Sequence, residues 1–414
     1  MIKLLQVYNQ YRSQFNGEET VVLRIAELVE KYGGEAQLLT RSSRGIEKSL
    51  ARKVHAAVSG FHSQSAYREM VQVLREYRPD VVHAHNLYPL LSPSVLVACR
   101  RARVPVVMTL HNHQLTCPRA DHLRGGQLCE RCVGGREYHC VWNNCRGNLL
   151  ESVVYAARSA VARRLRLFHD NVDVVIALSD FAKRRLVGAG FNGEQIAVLP
   201  NMTPSVDEPV DPSQGRYFAF AGRLSSEKGV ETLLDAATTL PDYEVRIAGE
   251  GPLRDNFQAR APQNVRFVGH LSPAEMTGFY RRARCLILPS RCFEMCPLVV
   301  IEAMSHGLPV IASDLGGREE LVRDGVSGLL FQPGEAGDLA RKMKCIEGDG
   351  ELCRRLGRAG REMSQREFSE GVFYRRLMTI YKQASEIVRS RDFGSQHCGD
   401  RNQHADVIET APNP

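Results

Sequence analysis

The chain has 414 residues, 43% of them hydrophobic, with 34 glycines, 19 prolines and a formal net charge of +7. That length corresponds to two or three domains of about 150 residues, and the composition excludes a disordered, collagenous or coiled-coil chain. No apolar run approaches the roughly 18 residues of a membrane span. The N-terminus MIKLLQVYNQ lacks the apolar core and cleavage site of a secretory signal, which predicts a cytoplasmic protein.

The charge is uneven. Residues 1–200 carry 27 Lys and Arg against 17 Asp and Glu, and the remainder 27 against 30. The first half suits anionic partners, phosphorylated substrates or anionic lipid; a solvated basic face is the plainer alternative. No nucleic-acid partner is predicted, because aromatics do not interleave with the basic clusters as a stacking surface needs. Twelve cysteines in a cytosolic chain predict mostly thiols.

In chain order, KLLQVY (residues 3–8) reads as a strand. Val21, Val22, Ile25, Leu28, Val29 and Tyr32 then fall at helical spacing, and Gly33-Gly34 suits the end of that helix. Strands follow at residues 80–83, 104–108 and 172–177, with helices over 66–77 and 94–101. The segment NMTPSVDEPVDPSQG (residues 201–215) has three prolines and reads as a linker. A second series begins at RYFAFAG: a helix from about Val230, strands EVRIAG and VRFVG, a helix over 272–284, strand CLILP, a helix after Pro297, then PVIAS and GLLF. Such alternation predicts parallel sheets with helices on both faces. The fold class is therefore α/β, with two doubly wound Rossmann-like domains, residues 1–200 and 216–368. Ligands of such sheets bind beyond the carboxyl ends of the strands, so a cleft between the domains is the expected site. A helix over 369–390 is expected to pack back on the first domain, ahead of a polar, disordered tail at 391–414.

Two stretches carry chemistry. In FAGRLSSEKGV, a strand turns through glycines into a helix with Arg223 and Lys228 in the turn, which suits an anion at a helix N-terminus. It is neither a P-loop nor a dinucleotide motif. In PSRCFEMCPLVVIEAM, Pro297 fits a helix start, and Glu302 interrupts an otherwise apolar run. A lone buried carboxylate is costly unless something pairs with it, and an ionised one matches vicinal hydroxyls. Glu294 sits on the loop ahead. Together the two glutamates suit two parts of one polyhydroxylated ligand. A Glu302 paired to a structural arginine, with Glu294 exposed, is the alternative.

GRLSSEKG, AGEGP (residues 248–252), NVRFVGHL (264–271), the PS-x-x-x-E-x7-E stretch and GLPVIASDLGGREELVRDGVSGLLF (307–331) resemble glycosyltransferase family 4, a retaining family of GT-B fold. DVVHAHNLYPLLSP, PVVMTLHN and ALSDFAKRRLVGAGFNGEQIAVLPN resemble its acceptor-side domain, so the likeness spans nearly all of residues 1–390. The resemblance implies that a nucleotide-sugar diphosphate is held by Arg223 and Lys228 and the ribose by Glu302. Glu294 would hold the transferred sugar, and the backbone of Cys296, Pro297, Leu298 and Val299 would assist. It places His111 near the reacting centre and Gly17 at a tight turn against the phosphates. With two cations on the leaving diphosphate, no catalytic metal is expected, and the diphosphate oxygen itself takes the acceptor's proton. The acceptors implied are glycans, lipid-linked saccharides or small molecules of envelope or exopolysaccharide synthesis. A phosphorylase or nucleotide-sugar epimerase of the same fold, and a non-catalytic sugar-nucleotide-binding partner, are the competing readings. Asn16-Gly17 stands where relatives carry two glycines, and Met295 where they often carry glycine, which bears on the shape of the sugar pocket.

An insertion at 113–146 holds Cys117, Cys129, Cys132, Cys140 and Cys145. A structural zinc is one reading; free thiols and disulfides are the others. Residues 152–168 read as a helix with Val154, Ala157, Val161, Leu165 and Phe168 on one face and arginines elsewhere. Such a helix either packs on its own domain with solvated arginines or lies peripherally on an anionic membrane.

Overall fold

The computed structural model describes residues 1–10 and 17–401, with side chains as far as Arg391. The first half runs β1 (Lys3–Gln10), α1 (Gly17–Lys31), β2 (Glu35–Ser42), α2 (Leu50–Phe61), α3 (Gln64–Tyr77), β3 (Val81–Ala84), α4 (Ser94–Ala102) and β4 (Val106–Leu110). The insertion follows, with a two-stranded hairpin, β5 (Leu123–Arg124) and β6 (Gln127–Leu128), and α5 (Tyr138–Trp142). Then come α6 (Leu149–Arg164), β7 (Val174–Ala177), α7 (Asp180–Gly188) and β8 (Ile196–Val198). The second half runs β9 (Tyr217–Ala221), α8 (Val230–Thr238), β10 (Val245–Ala248), α9 (Arg254–Arg260), β11 (Val265–Gly269), α10 (Pro273–Arg281), β12 (Ala283–Leu288) and α11 (Leu298–Ser305). It closes with β13 (Val310–Ser313), α12 (Arg318–Leu321), β14 (Gly328–Phe331), α13 (Ala336–Gly348), α14 (Gly350–Met363) and α15 (Glu370–Arg401).

The strands form two six-stranded sheets, ordered β2-β1-β3-β4-β7-β8 and β11-β10-β9-β12-β13-β14. Every pairing in them is parallel. Helices cover both faces, so the central strands are buried throughout: β4, β7, β9 and β13 have no exposed residue. This is why those segments read as apolar runs rather than alternating ones. The order reverses between β1 and β3 in one sheet and between β9 and β12 in the other. Crevices open at such reversals, beyond the carboxyl ends of the strands. The loops leaving β3, β9 and β12 carry His85, Lys228 and Glu294, so topology alone brings the chemistry to the two reversals.

α15 lies against β3, β4 and β7 of the first sheet. Its Tyr381 hydroxyl is 2.8 Å from His83 Nδ1, and Arg391 pairs with Asp173. The helix runs past residue 390, where a tail was expected, to Arg401; residues 402–414 lie outside the described residues, as does Asn16.

The expectation for residues 152–168 needs correction. α6 starts at Leu149 and stops at Arg164, and its buried residues are Ser152, Ala156, Arg158 and Ala162, a stripe offset from the predicted one. Arg158 is not solvated: its guanidinium lies 3.8 Å from the Tyr88 ring centre and 4.4 Å from that of Tyr155. Stacking on two aromatic faces satisfies a buried guanidinium that helical periodicity assigns to solvent.

Candidate active site

The β9–α8 turn forms one wall. Gly229 has φ +67°, and a Cβ built there would lie 2.0 Å from Pro289 O. Only glycine lets this turn close against the end of β12, and that closure sets Lys228 beside Glu294. Lys228 Nζ donates to Glu294 Oε1 at 2.7 Å, and Ser290 Oγ donates to the same oxygen at 2.7 Å. Burial by itself would raise the Glu294 carboxyl, but the charges of Lys228 and Arg318 override it and hold the group down to about 2. Burial likewise opposes the Lys228 charge, and Glu294 more than offsets that, so the ammonium's pKa is raised. Glu294 is thus a mostly buried, ion-paired anion rather than an exposed one.

Arg318 of α12 is 2% exposed. It donates to Ser313 O at 2.8 Å and Cys292 O at 3.0 Å, clamping the loop that carries Glu294. Nothing in GGREELV marks this arginine as internal. Arg223 takes a different partner from Lys228: it pairs with Glu227 and donates from Nε to Ser225 Oγ at 3.3 Å. Its side chain stays 57% exposed, free to meet a ligand at the cleft rim.

Glu302 sits in α11, just after the extended N-cap Pro297. It accepts a hydrogen bond from the Tyr280 hydroxyl at 3.2 Å. Burial raises its carboxyl, partly offset by the charge of Arg24 from α1 and by the Tyr280 bond. The carboxylate lies within electrostatic reach of an arginine that belongs to the opposite domain. The α1 and α11 N-termini meet there, since a Cβ built on Gly17 would lie 3.4 Å from Leu298 Cδ1. Asn201 Nδ2, at the start of the linker, donates to Cys296 O at 2.8 Å.

His111 directly follows β4 on the facing domain. Its Nε2 is 3.0 Å from His85 Nδ1, and burial lowers its pKa to about 3. The imidazole is neutral at physiological pH. His85 thus touches His111 directly.

The insertion borders the same cleft. His113 Nε2 is 3.3 Å from Phe293 O, and Phe293 packs on Phe181 (ring centres 5.1 Å apart) under the Arg185 guanidinium, 4.5 Å from its ring. Glu320 of α12 accepts from the Asp180 and Phe181 amides at 2.7 and 2.8 Å, capping α7 across the domain boundary. With the lobes held this way, a cavity of only about 10 Å³ remains between Leu110, His113, Arg185 and Met295. A larger cavity, about 310 Å³, follows the linker at Glu208–Gln214 and shares none of these residues.

The five cysteines of the insertion are gathered. Cys132 lies within electrostatic reach of Cys117, Cys140, Cys145 and Cys129, and the Cys140 and Cys145 thiols bond one another. Burial pushes Cys132 and Cys140 up to about 12, which keeps them as thiols. Among the described residues no group of three or more His, Cys, Asp or Glu side chains is set to hold a metal ion.

Two Rossmann-like lobes, each turning its strand-order reversal towards a shared cleft lined by cations and partly buried carboxylates, define the GT-B fold. Family models agree: residues 15–204 match "Glycosyltransferase Family 4" and residues 205–363 match "Glycosyl transferases group 1", and the chain belongs to glycosyltransferase family 4. It is 24% identical over 302 residues to the sulfoquinovosyl transferase SQD2 of Arabidopsis thaliana, covering 72% of this chain and 55% of that protein. It is 24% identical over 392 residues to a phosphatidyl-myo-inositol mannosyltransferase of Mycolicibacterium smegmatis, covering 89% and 90%. Anabaena HepE, solved with UDP and glucose, superposes with a TM-score of 0.62 at 19% identity over 94% of this chain and 100% of that one, a likeness of fold. The match thus spans little more than half of the Arabidopsis relative.

Proposed function

We propose that the protein transfers a sugar from a nucleotide-sugar donor to a glycan, lipid-linked or small-molecule acceptor, with retention of anomeric configuration. The observation that carries this reading is the Lys228–Glu294 pair at the β9/β12 reversal, opposite a neutral His111. Lys228 and Arg223 take the diphosphate, Glu302 the ribose hydroxyls, Glu294 the transferred sugar, and the chain at Cys296, Pro297, Leu298 and Val299 the oxygens between them. Gly17 keeps the facing backbone close. The bond from the anomeric carbon to the diphosphate oxygen breaks, the bond to the acceptor oxygen forms on the same face, and the acceptor's proton passes to the departing diphosphate. Negative charge grows on that oxygen, so the two cations act more strongly in the transition state than before it. The likeness to HepE, whose structure contains UDP and glucose, supports a sugar-nucleotide donor. Thermal stabilisation by a panel of nucleotide sugars tests it: one donor should shift the melting temperature well beyond its free nucleoside, and no shift with any of them would remove the reading.

No helix among the described residues is long and apolar enough to cross a membrane. A peripheral contact fits α2, α5 and α6, which pack in series and expose Leu50 (77%), Trp142 (80%) and Leu150 (73%) beside the exposed Arg52 and Lys53. Apolar side chains among cations suit an anionic bilayer surface. Flotation with vesicles of anionic lipid should carry the protein, and neutral vesicles should leave it behind; equal behaviour contradicts the contact.

A further inference from the structure

His111 is one end of a chain of buried groups drawn from three adjacent strands. Gln6 of β1 is fully buried. Its Nε2 donates to Val22 O at 2.9 Å, so its Oε1 is left to accept, and that oxygen lies 3.0 Å from His85 Nε2. Reversing the amide would press its oxygen against the Val22 carbonyl, so its orientation is fixed. His85 must then carry its proton on Nε2. Burial lowers the pKa of His85 well below the ordinary value, so the ring has one proton only, and Nδ1 holds a lone pair. The group 3.0 Å from that lone pair is His111 Nε2, which must donate. His111 is neutral as well, so its single proton is spent on His85. Its Nδ1 is left with the lone pair.

Beneath this chain, His83 stacks on His85 with ring centres 4.3 Å apart, and His85 on His111 at 5.2 Å. His83 is held at both nitrogens, by Tyr381 at 2.8 Å and Thr109 at 2.7 Å. The three rings cannot turn independently.

We infer that Gln6 and His85 are positioning residues that lock His111 in the Nε2-protonated form, so that Nδ1 accepts a hydrogen bond in the cleft. The ligand group recognised there is a donor, a sugar or acceptor hydroxyl. His111 takes no part as a proton donor to the departing diphosphate. This inference rests on the proposed transfer reaction only for the identity of that hydroxyl; the proton positions stand on the contacts and on the burial that keeps both rings neutral.

The test is a long-range proton–nitrogen correlation spectrum of the full chain carrying nitrogen-15 histidine, without substrate, at neutral pH. Comparison with His111→Gln assigns the signal. The expected spectrum shows His111 protonated at Nε2 and bare at Nδ1; the opposite tautomer overturns the inference. Gln6→Met removes the acceptor at equal length. It should convert His111 towards the Nδ1-protonated form and lower kcat about tenfold, the size of one hydrogen bond, with donor KM little changed. His85→Asn keeps an oxygen near the Nδ1 position and should restore both the tautomer and most of the rate, whereas His85→Leu should not. A folded Gln6→Met protein with the original tautomer, or with full kcat, contradicts the inference. If these variants fail to fold, the spectrum of the unaltered protein still decides. The expected tautomer in a chain that transfers no sugar would overturn the transfer reaction and leave the relay standing.

Discussion

Replacing Lys228 by methionine keeps the packing of its stem and removes only the charge. The ammonium lies 2.7 Å from Glu294 Oε1, with the two side chains 25% and 13% exposed. Its loss leaves Glu294 with Ser290 and the charge of Arg318. Burial, which by itself raises the carboxyl, then gains ground, and the pKa should climb from about 2 back towards or above 4.5. Stripping one member from a fully buried pair costs about 3–5 kcal/mol. The quarter exposure of Lys228 brings that down to about 2 kcal/mol by solvent screening. In turnover the loss should be larger, because the same cation faces the departing diphosphate. Removing one such electrostatic group costs about 10²–10³ in kcat. The assay is steady-state transfer with the donor found by thermal shift, beside chemical denaturation of both proteins and of Glu294→Gln and the double variant. The double variant should be less destabilised than the sum of the singles by about 1–3 kcal/mol. A Lys228→Met protein within about threefold of full kcat would refute the placement of Lys228 on the diphosphate, whatever its stability.

Glu302→Ala should weaken nucleoside diphosphate binding about tenfold in calorimetry, since Glu302 is the carboxylate assigned to the ribose; unchanged affinity would count against that assignment. The Glu294 carboxyl is depressed from 4.5 to about 2, so its stabilisation, of order 3 kcal/mol, is fully present above pH 4.5 and lost as pH falls towards 2. Glu294→Gln should flatten that part of the acid denaturation profile, and an unaltered profile would contradict the pairing. Gly229→Ala combines φ +67° with a Cβ 2.0 Å from Pro289 O. It should cost well over 1 kcal/mol in denaturation and lower donor affinity, whereas a neutral substitution would show that the turn relaxes. Glu320→Ala removes the cap on α7 from the opposite domain; small-angle scattering should show a larger radius of gyration, and an identical one would mean that other contacts hold the lobes.

Most of the fold was legible because the central strands are short apolar runs closed by a turn signal, and parallel sheets buried on both faces leave that mark; the half-exposed edge strand β2 and the three-residue β8 leave no such mark and were not predicted. The loops that bear Lys228, Glu294 and His111 were legible as motifs. Their partners were not, since pairing depends on which loops meet in space. Arg318 looks like a surface arginine in GGREELV and lies under the Glu294 loop. Tyr280, on a different helix, donates to Glu302. Arg158 misled the reading of α6 because a guanidinium between two tyrosines is buried without any apolar residue at its position. His85 had a signal: it alternates with His83 at the end of a strand next to the one that His111 directly follows. Histidines at the ends of neighbouring parallel strands face the same crevice, and that adjacency could have flagged the pair.

A crystal structure of the protein soaked with a nucleoside diphosphate tests the central claim most directly. The expected density places the two phosphates within hydrogen-bonding distance of Lys228 and Arg223, with the ribose on Glu302. A nucleotide bound away from the β9 and β12 turns, or phosphates facing neither cation, would contradict it.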